Sequence, residues 1–75
     1  MRAVIAGVTR RGTSRSGNPT YDVHLEDGRT FATLSDGALN YAIGNEDVRG
    51  VPVQLQFAGD RVASVWDTTG TRRLA

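Results

Sequence analysis

His24 is the sole histidine of the chain and there is no cysteine, so any Ser-His-Asp or Cys-His nucleophilic arrangement would have to run through that one imidazole. The residues around it, Tyr21-Asp22-Val23-His24-Leu25-Glu26, alternate apolar with polar. That period places His24 between Asp22 and Glu26 on the solvated face of a strand, where it reads as a surface histidine. A zinc site would need partners that a lone histidine without cysteines lacks. Two carboxylate pairs, Asp22 with Glu26 and Glu46 with Asp47, could in principle do acid-base work. On a polar strand face or in a polar connection such groups serve solubility. The stretch Arg11-Gly12-Thr13-Ser14-Arg15-Ser16-Gly17 is basic and contains glycine, yet it lacks the lysine of a phosphate-binding loop. No catalytic residue, metal ligand or cofactor is therefore expected, and the chain is not read as an enzyme.

Binding chemistry is better supplied. All nine basic residues are arginine, a bias that a high-GC genome produces without selection. Their placement is uneven. Met1 to Tyr21 carries Arg2, Arg10, Arg11 and Arg15 with no acid, whereas Asp22 to Asp67 is net acidic, Arg72 and Arg73 follow, and the whole sums to +1. A near-neutral protein can thus still present a local anion-attracting surface. Single-stranded nucleic acid is held by such a surface together with rings on which bases stack. The residues that would carry this are Arg10, Arg11, Arg15, Tyr21 and Trp66, with Phe31 a further ring. Against it, Tyr21 is in register with Val23 and Leu25, and a chain with few aromatics needs them in its core.

The elements that must position these groups are short. Arg2 to Arg10 reads as a first strand with Gly7 marking a bulge or sharp bend, which would let one strand serve two halves of a barrel. Arg11 to Thr20 is loop by composition. Tyr21 to Glu26 and Arg29 to Leu34 flank Asp27-Gly28, the signal of a type I′ hairpin. Ser35 or Asp36 can cap a helix with Ala38, Leu39, Ala42 and Ile43 at helical spacing, ending near Gly44 or Asn45 in a left-handed conformation. So brief a helix must lie with Leu39 and Ile43 against the barrel, plugging one open end. Glu46 to Gly50 is a polar connection. Val51, Val53, Leu55 and Phe57 then alternate as a fourth strand, with Pro52 at a strand end or open edge. Gly59-Asp60 is a II′ or I′ turn, and Arg61 to Asp67 is a last strand in which a bulge near Ser64 decides where Trp66 points.

This order is mainly β: a five-stranded small barrel, OB-like, alternatively SH3-like, with one short helix between strands three and four. With 75 residues the chain holds one core, over residues 1 to 67, and residues 68 to 75 read as a flexible tail. No segment has the ~18 apolar residues of a membrane span, and no signal peptide is read, so a cytoplasmic location is expected.

The segments Ser16-Gly17-Asn18-Pro19-Thr20-Tyr21, Asp27-Gly28-Arg29-Thr30, Ser35-Asp36, Tyr41-Ala42-Ile43 and Gly50-Val51-Pro52-Val53 resemble those of small uncharacterised proteins of actinobacteria-infecting bacteriophages, over about residues 8 to 66. The resemblance implies a source, the host cytoplasm, and no activity. The expected function is a non-enzymatic module that binds a host or self protein through its surface or edge, with possible homo-oligomers. The alternative is single-stranded nucleic-acid binding through the basic loop 10 to 19.

Overall fold

In a computed structural model, residues 1–13, 15, 17–45 and 48–75 are described. Five strands and one helix follow one another as β1 (Arg2–Thr13), β2 (Pro19–Leu25), β3 (Thr30–Ala32), α1 (Gly37–Ile43), β4 (Pro52–Ala58) and β5 (Arg61–Trp66). The strands form a single sheet in the order β3-β2-β1-β4-β5, all neighbours antiparallel. The helix sits between strands three and four, as the OB-like order requires. The barrel does not close, and this corrects the expectation from sequence. β3 and β5 meet only at a parallel bridge between Thr33 and Val62, with the Leu34 N–H donating to the Val62 carbonyl at 3.0 Å. β3 is three residues long and forms no ladder with β5.

β1 occupies the middle of the sheet because it bends. Its first residues pair with β4 (Ala3 opposite Val53), and from Ile5 onward it pairs with β2. The register slips between Ile5 and Gly7, the bulge that Gly7 signals, and again between Arg10 and Gly12. β1 and β2 both extend into the segment read as loop: Gly12 pairs with Thr20 and Thr13 with Pro19. The partner strand supplies hydrogen bonds that composition alone does not reveal. The paired carboxylates Glu46 and Asp47 lie outside the described residues.

The turns show the local chemistry. Gly28 has φ +93° and, among the described residues, only glycines take positive φ, so Asp27 is not in the conformation a I′ turn needs. The hairpin instead closes from Leu25 to Arg29 as a type I turn followed by a left-handed glycine, with the Gly28 N–H on the Leu25 carbonyl. Gly59, φ +64°, leads a two-residue turn joining Ala58 to Arg61, which fits type II′. Asp36 caps α1, accepting the Leu39 N–H at 2.9 Å. At the other end Gly44 stays right-handed, φ −69°, so no left-handed cap forms.

The core is Ile5, Val23, Leu25, Leu39, Ile43, Val53, Leu55, Val62 and Val65, joined by Val48 and Ala75. Val51 is exposed, because the strand begins only at Pro52 and its alternation does not reach back to 51. Pro52 therefore starts a central strand rather than marking an edge.

Residues 68–75 are not a frayed tail. Asp67 organises a turn, and the chain returns along β5: Arg73 bridges Trp66, the Leu74 and Ala75 N–H groups both donate to the Val65 carbonyl, and Ala75 is buried. The sequence shows little to bury there, but the outer edge of β5 offers backbone partners, and unpaired edge groups are costly once covered. Among the described residues no helix is long and apolar enough to cross a membrane.

Candidate binding cleft and the placement of the arginines and aromatics

Alternation along β2 turns Val23 and Leu25 into the core, with Tyr21 half-buried beside them, and Asp22 and His24 outward. The His24 ring lies between flanking strands, with Nε2 2.8 Å from the Thr9 hydroxyl and Nδ1 3.1 Å from the Thr30 hydroxyl. It is thus a strut across the outer face of β1, β2 and β3. Arg11, at the second bulge of β1, reaches over this face to Asp22, Nη1 to Oδ1 3.0 Å.

β3 borders the seam that the barrel leaves open. The Arg29 carbonyl accepts from Leu25 and the Thr33 N–H donates to Tyr21, so odd-numbered residues of this strand bond to β2. Antiparallel pairing alternates, and the backbone N–H and C=O groups of Thr30 and Ala32 therefore face the opposite side. On that side lies an open cleft of about 440 Å³, lined by Arg11, Asp22, Thr30, Phe31, Ala32, Asp60 and Arg61. Arg61 is held by a hydrogen bond from Nη1 to the Thr33 carbonyl, 3.2 Å. The Phe31 ring packs edge-on against Phe57, centroids 4.9 Å apart at 68°. The Arg29 guanidinium lies 6.0 Å from its centroid, at the limit of a useful cation–π contact. Arg29 is itself paired with Asp27 at 2.6 Å, and its hydrogen bond holds the Asp27 carboxyl below the usual range.

The arginines and aromatics read from sequence do not form one cluster. Arg10 is exposed and donates to the Thr13 hydroxyl at 3.0 Å, Arg11 borders the cleft, and Arg15 is exposed in the turn beyond β1. Tyr21 packs on the core with its hydroxyl beside Gly44. Trp66 is elsewhere. The bulge expected near Ser64 is present, since Gln56 faces Ser64 while Phe57 faces Val62. It puts Val62 and Val65 in the core and turns Ser64, itself buried, and Trp66, half-buried, to the opposite face, and the indole N–H donates to the Ser64 hydroxyl at 2.9 Å. Trp66 faces Gln54, which faces Arg2. Arg2 and Arg10 are at opposite ends of β1, about 25 Å of strand apart.

Sequence reading did not single out Thr30, Ala32, Asp60 or Arg61. The signal available for the last two was the OB-like order itself, in which the loop between strands four and five flanks the groove. Among the described residues, no three His, Cys, Asp or Glu side chains gather as a metal cluster. Compared with known proteins, the chain matches no family model, no curated protein and no solved structure.

Proposed function

We propose that the chain is a non-enzymatic binding module that takes an extended segment of a host or self protein into the open seam beside β3. The observation that carries this is the outward-facing backbone of Thr30 and Ala32 along an open cleft of about 440 Å³. Strand addition draws its affinity from such main-chain groups and its selectivity from the side chains around them. Here Arg11 and Arg61 alternate with Asp22 and Asp60. Charges of both signs suit a peptide better than a polyphosphate, which would meet carboxylates as well as guanidiniums. The same pairing is why the basic loop 10 to 19 is the weaker reading for nucleic acid. The resemblance to small phage proteins supports a host partner, met in the host cytoplasm.

The test selects peptides from a random library displayed against the protein and maps the selected peptide by amide chemical shifts. Perturbations concentrated at Thr30, Ala32, Asp60 and Arg61 are expected. Ala32→Pro removes a cleft-facing N–H while sparing the β2 ladder, and should abolish binding without unfolding the domain. Selected peptides that perturb another surface, or that bind the Ala32→Pro variant equally well, would overturn the proposal.

A further inference from the structure

The outer face of β4 and β5 differs from the cleft in charge. Across it the register sets one row of side chains, Arg2 on β1, Gln54 on β4, Trp66 on β5 and Arg73 on the returning segment, because directly opposed residues share a face. Trp66 lies outside the core cluster and is half-buried. Its N–H is engaged by Ser64, whose hydroxyl donates in turn to the Gln56 side-chain oxygen at 3.0 Å, so the indole is held against the sheet with its polar atom already satisfied. Arg2 and Arg73 are exposed, and neither is in a salt bridge among the described residues. The carboxylate nearest in sequence, Asp67, is turned into its own loop, accepting from Thr69 and Thr71. The row thus holds an aromatic ring and two guanidiniums that no side-chain carboxylate neutralises among the described residues, the Arg73 Nε donating to the Ala75 backbone oxygen at 3.1 Å.

We propose that this row is a second binding face, separate from the cleft, and that its ligand is single-stranded nucleic acid: a base stacks on Trp66 while Arg2 and Arg73 meet phosphates on either side. Charge complementarity selects this ligand, since a row carrying only positive charge favours a polyanion, and a ring whose N–H is occupied recognises a flat π-face rather than a hydrogen-bonding edge. Gln54, between Arg2 and Trp66, supplies amide groups to a base or sugar.

Trp66 is the only tryptophan, so the full chain reports on its own site. Titration with a short oligothymidylate at about 50 mM salt is expected to quench its fluorescence saturably. Two phosphate contacts, each with a slope near −0.7, weaken binding about sevenfold between 50 and 200 mM salt. Arg2→Ala and Arg73→Ala should each weaken binding and roughly halve that slope, whereas Arg11→Ala at the cleft should leave both unchanged. With a labelled oligothymidylate, Trp66→Ala should weaken binding about fivefold or more. The Arg2 side chain is exposed, and its backbone pairing with Gln54 survives the substitution, so its variant keeps the test meaningful should Arg73→Ala loosen the returning segment. No quenching at 50 mM salt overturns the proposal. Binding that is lost in Arg10→Ala or Arg11→Ala and untouched in Arg2→Ala also overturns it, by moving the ligand to the other end of β1.

Discussion

Thr33 donates its hydroxyl hydrogen to the side-chain oxygen of Asn40 at 2.5 Å, and both residues are fully buried. The same hydroxyl oxygen accepts the Tyr21 N–H, and the Asn40 amide donates to the carbonyls of Leu34 and Asp36. A helix of seven residues is unstable alone. Here it is fixed by Leu39 and Ile43 below and by a satisfied polar pin that ties it to the end of β3. The pin also sets where Thr33 meets Val62, and hence where the seam begins.

Asn40→Ala should cost about 1–3 kcal/mol, because it takes the acceptor from the Thr33 hydroxyl and the side-chain donor from the Leu34 carbonyl, while the Asp36 carbonyl keeps the residue-40 backbone N–H. Thr33→Val should cost a similar amount. The double variant should be less destabilised than the sum of the two. Urea midpoints of the four proteins check this, and strict additivity would show that the two residues are not coupled.

Backbone conformation predicts opposite outcomes at two glycines that are both open to a methyl group. Gly28→Ala forces alanine to φ +93° and should destabilise by about 1–2 kcal/mol. Gly7→Ala, at ordinary φ in a strand, should be neutral or slightly stabilising. Thermal denaturation of the two variants makes the comparison.

The Arg11–Asp22 ion pair is exposed on the arginine side, so Arg11→Ala should change stability by less than about 1 kcal/mol. Its effect should appear instead in peptide binding at the cleft, as a weaker affinity at unchanged urea midpoint.

Burial raises the Asp67 carboxyl, but hydrogen bonds from Thr69, Thr71 and Arg72 outweigh it and hold the group below the usual aspartate range. Its contribution is therefore complete above the unfolded aspartate value, about 3.9, and is lost as pH falls through the lower folded value. Hydrogen exchange at Leu74 and Ala75, whose N–H groups bond to Val65, should stay slow from neutral pH to about pH 4 and quicken below it. In Asp67→Asn the acid dependence should disappear.

Much of the scaffold was legible in local pattern. Period-two alternation located β2 and β4, Ser35 or Asp36 located the helix start, and Gly7 and Ser64 located one bulge of β1 and the bulge of β5, though not the direction of Trp66 or the second bulge of β1. Those features depend on residues within a few positions of one another. Asn40 was not legible as core, because a polar residue on a helix reads as solvated unless its partners are known, and Thr33, Leu34 and Asp36 reach it only after the chain has turned. The returning segment 68–75 was illegible for the same reason: its partner is the backbone of β5, which carries no sequence signal.

By itself, then, the sequence determined the element order, the positions of the two hairpin turns and most of the inward apolar residues, since these follow from steric preferences and from the spacing of side chains along one strand or helix. Only the tertiary structure decided which arginine stands beside which ring. The bend of β1 sends Arg11 to the seam beside Phe31 and Arg61, and leaves Arg2 at the other end in line with Gln54, Trp66 and Arg73. Residues close in sequence are thereby parted and residues far apart are aligned, because cross-strand register is set by long-range pairing.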